Sequence, residues 1–446
     1  MRVSLVNPRW HERGGPVYNR VWMPLSLAVT AALLERDGHD VVVIDAHALG
    51  LGSDALRESL TGSDKVFVTS STLDKWVCPN LDLTPFIRAT SVAREVAPQV
   101  YGLGVHGTVR PREVLELADV DAVVCGEPEL TVRELCREEE LRTIAGVAYL
   151  RAGDLQTTPA RELADVNAFP PPALHLLPLA AYRYEILGDR LVLLEGSRGC
   201  PYSCTFCLKA MYGNRYRRKE PDRLLRELDL ALSAFGARSV YFMDIEFTLN
   251  RRLVEEVCRF LTRDSRDAVW CCQTRVDAVD PDLLNMMRAA GCTLIHFGIE
   301  SGSPAVLQRI GKRAGIEAME RAVRWARKAR IRTACFFLLG LPGEGPEDVE
   351  MTLALARRLR PDYVSFHVAV PYPGTAMYDE VRESLGDEAV FPESTGLLPQ
   401  GELRSLQRRA LLSHYLRPSY LARALLRGDL RGAMSKIGVL RQYVRW

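Results

Sequence analysis

The chain lacks several features that would each narrow its function. It has no run of about 18 apolar residues, the length a helix needs to cross a bilayer, so no membrane association is expected. It does not open with a charged segment and apolar core of the signal-peptide kind. It lacks charge of one sign: 58 Lys and Arg stand against 56 Asp and Glu, net +2, which argues against a dedicated nucleic-acid binder. It has little cysteine in pairs. Eight of its 11 cysteines (78, 125, 136, 258, 271, 272, 292 and 335) are scattered, mostly in apolar runs, and read as buried free thiols.

The other three stand together. Gly199-Cys-Pro-Tyr-Ser-Cys-Thr-Phe-Cys207 spaces Cys200, Cys204 and Cys207 as CxxxCxxC, directly after the apolar run 191–194 that reads as a strand entering a loop. Thiolates select soft metals and iron–sulfur centres over hard cations. A closed structural zinc site takes four protein ligands, and no CxxC pair or nearby histidine supplies the fourth. A [4Fe-4S] cubane held by three cysteines keeps one iron open.

With the aromatic Phe206 before its last cysteine, the motif resembles the signature of the radical S-adenosylmethionine (SAM) superfamily. The resemblance implies a [4Fe-4S] cluster whose open iron chelates the methionine part of SAM. It also implies cleavage of SAM to a 5'-deoxyadenosyl radical, and an electron donor such as flavodoxin or ferredoxin. Such a cluster does not survive oxidising compartments, so a cytoplasmic enzyme is expected.

The 446 residues, 47% hydrophobic, suffice for two or three cores. Over residues 1–150, short β-branched runs alternate with helical stretches, which predicts an α/β fold with a doubly wound, Rossmann-like parallel sheet. Its ligands would sit beyond the carboxyl ends of the strands. This half resembles the cobalamin-binding domain that precedes the cluster domain in one radical SAM class, which makes cobalamin an open expectation. Asp45-Ala-His-Ala-Leu-Gly50 spells the DxHxxG of cobalamin mutases. There the motif follows the first strand and here the second, so His47 is expected to be a solvated loop histidine. Residues 151–189 read as a linker stiffened by Phe169-Pro-Pro-Pro-Ala173. Residues 190–380 carry six strand candidates with intervening amphipathic helices, a partial (β/α)6 barrel with its chemistry at the C-terminal strand ends. Residues 381–446 form a helical C-terminal segment, expected to cap the barrel.

The strand ends then carry the remaining candidates. Asp244 and Glu246 end the second strand of this series, Arg275 the third, Glu300 the fourth, and Gly340 with Pro342 the fifth. By resemblance, Phe206, Asp244, Arg275, Glu300, Gly340 and Pro342 bind the cofactors. Asp244 and Glu300 read alternatively as helix N-caps, Arg275 as an ordinary ion-pair partner, and Gly340 as a turn residue. Glu246 departs from the family, which has Asp, Asn or Thr near that point, and is assigned to the substrate. Tyr216 is a candidate catalytic acid, able to protonate a leaving hydroxyl.

Two outcomes of the radical fit this architecture. The preferred reading follows overall resemblance to the radical SAM dehydratases of the apramycin pathway, which deoxygenate the aminosugar of paromamine. It implies an aminoglycoside substrate and an NAD(P)-dependent reductase acting on the product. A polycation wants carboxylates around it; Asp244, Glu246 and Glu300, faced by Glu127 and Glu129 from the first domain, are the candidates. The alternative is a cobalamin-dependent methyltransferase of a secondary metabolite.

Overall fold

The computed structural model describes residues 1–10, 20–72, 81–138, 140–263, 268–385, 392, 394–395, 400–418 and 420. Five strands of the first half, β1 (Arg2–Asn7), β2 (Asp40–Asp45), β3 (Lys65–Thr69), β4 (Gln99–Leu103) and β5 (Ala122–Val124), lie parallel in the order β2-β1-β3-β4-β5. Their apolar residues are buried on both faces, as continuous β-branched runs require in a sheet covered by helices. The order reverses between β1 and β3, so the ligand crevice of such a sheet opens there.

An antiparallel hairpin, β6 (Val147–Arg151) and β7 (Asp154–Thr157), extends the sheet to Thr157. Its two-residue turn puts Ala152 at φ 52° and Gly153 at φ 85°, the paired left-handed geometry that matches strand twist. A short hairpin of β8 (Arg183–Tyr184) and β9 (Gly188–Asp189) follows. The proline-rich segment between these hairpins packs instead of merely spacing two domains. Phe169, Ala173, Leu174, Leu177 and Tyr182 are buried in one apolar core that continues from the first sheet into the barrel. Val21 and Arg183 pair across it.

Six parallel strands form the second sheet: β10 (Leu191–Leu194), then, beyond the two-residue strands β11 (Ser197–Arg198) and β12 (Arg217–Arg218), β13 (Ser239–Phe242), β14 (Val269–Thr274), β15 (Cys292–Glu300), β16 (Arg332–Leu339) and β17 (Tyr363–Val368). Their order, β10-β13-β14-β15-β16-β17, is the chain order, as expected of an open (β/α)6 barrel. Helix Gln400–Tyr415 covers the edge of β17. The Tyr415 hydroxyl accepts from the Val364 N–H and donates to its carbonyl, both at 3.0 Å, and Gln407 donates to the Phe366 carbonyl at 2.6 Å. These bonds satisfy edge groups that would otherwise template aggregation. Of the helical segment expected over 381–446, residues 386–391, 393, 396–399, 419 and 421–446 lie outside the described residues. No helix among the described residues is long and apolar enough to cross a membrane.

Candidate active site

Residues 199–216 leave the barrel between β11 and β12, which pair antiparallel as Ser197↔Arg218 and Arg198↔Arg217. Gly199 turns the chain at φ +79°, where a Cβ would stand 2.3 Å from the Arg215 carbonyl oxygen; only glycine fits. The loop is held on its far side too. The Thr205 N–H donates to the Ile310 carbonyl at 3.1 Å, the Met377 N–H to the Thr205 carbonyl at 3.0 Å, and Gly311 lets the chain pass where a Cβ would sit 2.9 Å from the Ser203 carbonyl oxygen.

Cys200 is buried, whereas Cys204 and Cys207 are partly exposed. A hydrogen bond from Cys207 and the positive charge of Lys312 hold the Cys204 thiol below the ordinary thiol range. Cys207 is pushed up by the same bond and by burial. Among the described residues, no three His, Cys, Asp or Glu side chains close around a single ion. A cubane asks something different: each thiolate reaches its own iron. Three cysteines from one fixed loop, one already disposed to ionise, fit that demand. Phe206 packs partly buried against the core.

The strand ends around this loop are heavily bonded. Asp244 is buried, accepting from the Gly196 N–H at 2.8 Å and the Ser197 hydroxyl at 2.5 Å, so it fixes the turn into β11. Glu246 accepts from the Arg275 N–H at 2.7 Å, and burial raises its carboxyl to about 7. Arg275 grips Asp277 with two bonds of 2.8 and 2.7 Å and lies 4.0 Å over the Tyr202 ring of the cluster loop. Glu300, at φ +67°, pairs with Lys312 at 3.0 Å across Gly298, where a Cβ would come within 2.4 Å of the Glu300 carboxylate. Neither Asp244 nor Glu300 caps a helix; Ser303 caps the helix after β15. Gly340, at φ +78°, donates its N–H to Glu344 at 2.6 Å, and a Cβ there would meet Leu403 of the C-terminal helix at 2.7 Å. Pro342 is buried beside it. The Tyr216 hydroxyl lies beside Ser197, and burial followed by the charge of Asp244 pushes its pKa well up. Sequence reasoning missed Lys312 because a lone cation beside a glycine carries no motif.

Inside the barrel, Gln273, Gly298, Phe336, Leu338, Ser365 and His367 keep some exposure, while their neighbours Thr274, Phe297, Phe337 and Phe366 are buried. A period of two puts the first set on one inner face. The register agrees, with Gly298 beside Phe336, Phe336 beside Ser365, and Leu338 beside His367. The lumen is lined by successive ring contacts: Trp22 with Tyr184 and Tyr241, Tyr241 with His296, His296 with Phe336, and Phe336 with His367, at 5.1 to 5.9 Å. Burial, then the charge of Arg20, lowers His296 to about 3. The His296 ring is therefore neutral at physiological pH.

Glu127 and Glu129 do not face a substrate. Arg198 reaches Glu129 at 2.5 Å, Arg217 grips Glu127, and all four side chains are buried. A carboxylate committed to a buried arginine has no free charge for an incoming amine, so Glu127 and Glu129 do not serve an aminoglycoside as expected. Asp45 of the DxHxxG stretch caps the helix Ala46–Leu49 and bonds to Asn7 and Tyr182, each at 2.9 Å. His47 follows edge strand β2, away from the β1/β3 crevice. At that crevice Asn7 also receives Trp10 and Thr72, and His106 bonds to Ser70. These polar groups satisfy one another. A cobalamin held at this crevice would lie against these groups and not against His47.

The profile of the radical SAM superfamily matches residues 194–356. The chain is 30% identical over 444 residues, 94% of each chain, to an uncharacterised methyltransferase of Pyrococcus horikoshii. It is 28% identical over 404 residues to the anaerobic magnesium-protoporphyrin IX monomethyl ester cyclase of Rubrivivax gelatinosus, covering 86% of this chain and 71% of that one. Among solved structures, the fold matches the radical SAM methyltransferase TsrM of Kitasatospora setae, determined with cobalamin and a [4Fe-4S] cluster, with a TM-score of 0.71 at 20% identity over 94% of this chain and 89% of that one. It also matches the cobalamin-dependent radical enzyme OxsB, with a TM-score of 0.65 at 21% identity over 86% and 55%. With the cluster loop, the barrel and its strand ends in place, this chain belongs to the radical SAM superfamily.

Proposed function

We propose that the chain is a radical SAM methyltransferase acting on a carbon atom of a small molecule held in the barrel lumen. The observation that carries this is similarity along both domains, 94% of each chain, to a protein named as a methyltransferase. With the cluster loaded, one SAM would supply, on one-electron reduction, the 5'-deoxyadenosyl radical that takes a hydrogen atom from the substrate, and a second SAM would supply the methyl group by way of a cobalamin carrier, so that methionine, 5'-deoxyadenosine and S-adenosylhomocysteine are the co-products. The protein's own work is positioning and exclusion. Lys312, paired with Glu300 beside Cys204, offers a cation at the cluster for the SAM carboxylate. Tyr202, stacked on Arg275, holds the loop against the third strand end. The aromatic lining keeps water from a reactive radical. The electron arrives from a one-electron carrier of the flavodoxin or ferredoxin kind.

A second reading, radical dehydration, has one observation of its own. The half-buried Tyr216 places its phenol beside Ser197 and Asp244 at the end of the second barrel strand, where a hydroxyl could hydrogen-bond a departing group. One anaerobic incubation with candidate substrates separates the two. Product heavier by one methylene, together with S-adenosylhomocysteine, supports methyl transfer. Product lighter by one water, with 5'-deoxyadenosine alone, supports dehydration and removes the first reading.

A further inference from the structure

The neck of the cluster loop is tied to the other domain by charge. Arg198 and Arg217 face each other across β11 and β12, immediately before and after residues 199–216. Arg198 bonds to Glu129 at 2.5 Å and to Glu195 at 2.9 Å, with its guanidinium over the rings of Phe169 from the linker and Tyr212 from the loop, at 4.9 and 5.4 Å. Arg217 donates to Glu127 at 3.0 Å and to the Ala164 carbonyl at 2.7 Å. Glu127 and Glu129 start the helix Pro128–Leu135 at the end of β5, so they belong to the first sheet's ligand-facing edge.

We propose that Arg198 and Arg217, held by Glu129 and Glu127, position the cluster loop, making the first domain a working part of the cluster site whatever it binds at its own strand ends. Arginine suits the task because its planar fork fixes direction as well as charge and its face stacks on aromatic rings, which a lysine does not reproduce. Stability alone does not call for such an arrangement, since well-packed apolar residues often replace buried ion pairs at no cost. A fixed fork at each side of the neck sets where the loop leaves and re-enters the barrel. The cysteines begin two residues beyond Arg198. Arg198 and Arg217 act through the loop and are positioning residues.

The test uses the full-length protein, reconstituted anaerobically with iron and sulfide. Arg198→Met and Glu129→Gln are compared with Asp37→Asn, which breaks a first-domain ion pair with Arg133 remote from the loop. The readouts are iron content, the electron paramagnetic resonance spectrum of the reduced cluster with and without SAM, and 5'-deoxyadenosine formation. Displacement of about an ångström costs reactions on the order of a hundredfold. Arg198→Met and Glu129→Gln are therefore expected to give heterogeneous SAM-bound spectra and at least about tenfold slower SAM cleavage, with circular dichroism near wild type and Arg198→Lys intermediate. Asp37→Asn should lower the melting temperature and leave the spectrum alone. Should Arg198→Met fail to fold, the milder Glu129→Gln decides. Wild-type spectra and SAM cleavage within about twofold in the folded variants would overturn the proposal.

Discussion

Lys312 Nζ lies 3.0 Å from Glu300 Oε1, both side chains buried, and the ammonium bears electrostatically on Cys204. The pair joins the fourth strand end of the barrel to the cluster loop. Lys312→Met leaves the Glu300 carboxylate buried and alone, which costs about 3–5 kcal/mol. We expect a lower melting temperature and SAM cleavage reduced at least about tenfold, the loss of a charge-assisted contact. Combining it with Glu300→Gln should restore the melting temperature without restoring cleavage. Recovery of both would assign the pair to folding alone.

Gly199→Ala tests the loop's exit from the barrel. A left-handed φ and a carbonyl oxygen 2.3 Å from the new methyl act together, so the loop must shift. Strain of this kind costs on the order of 1–3 kcal/mol. Iron bound after reconstitution should fall well below wild type while circular dichroism stays similar. Full iron loading would show that the loop accommodates the methyl.

Tyr216→Phe removes one oxygen. If Tyr216 gives a proton to a leaving group, product formation should fall by about 10²–10⁴-fold while 5'-deoxyadenosine still forms. If the reaction is methyl transfer, methylated product should persist within a few-fold. Chromatography with mass detection reads both products from one sample.

Much of this site was legible from spacing and period. CxxxCxxC gave the cluster loop, and six strand candidates gave six strands in the right order, with β10 covering the apolar run 191–194. The hairpin β6–β7 was hidden because its turn places Ala152 where glycine or asparagine is the usual signal. Glu127 and Glu129 looked like ligand groups because strand-end carboxylates usually are. Their partners, Arg198 and Arg217, lie 69 and 90 residues away in sequence, a separation that local pattern does not reach. The proline-rich linker misled in the same way, since composition reports missing N–H donors and not where Phe169 packs.

Glu344 carries the clearest pH signature away from the thiols. Burial raises its carboxyl from 4.5 to about 7 in the folded protein. The folded state thus binds a proton more tightly than the unfolded chain, and stability falls as pH rises between those two values. At about 1.4 kcal/mol per unit, the contribution reaches up to about 3 kcal/mol. Urea midpoints should drop from pH 5 to pH 8 more steeply in wild type than in Glu344→Gln. Parallel profiles would mean that this carboxyl is not the cause.

The most direct test is reconstitution of the wild-type protein and of Cys200→Ala, Cys204→Ala and Cys207→Ala under anaerobic conditions, followed by reduction with SAM present. A four-iron cluster is expected in the wild type, its resonance changing when SAM is added, with 5'-deoxyadenosine or S-adenosylhomocysteine accumulating, and with loss of both products in each variant. Zinc in place of iron, or SAM breakdown unaffected in any of the three variants, would contradict it.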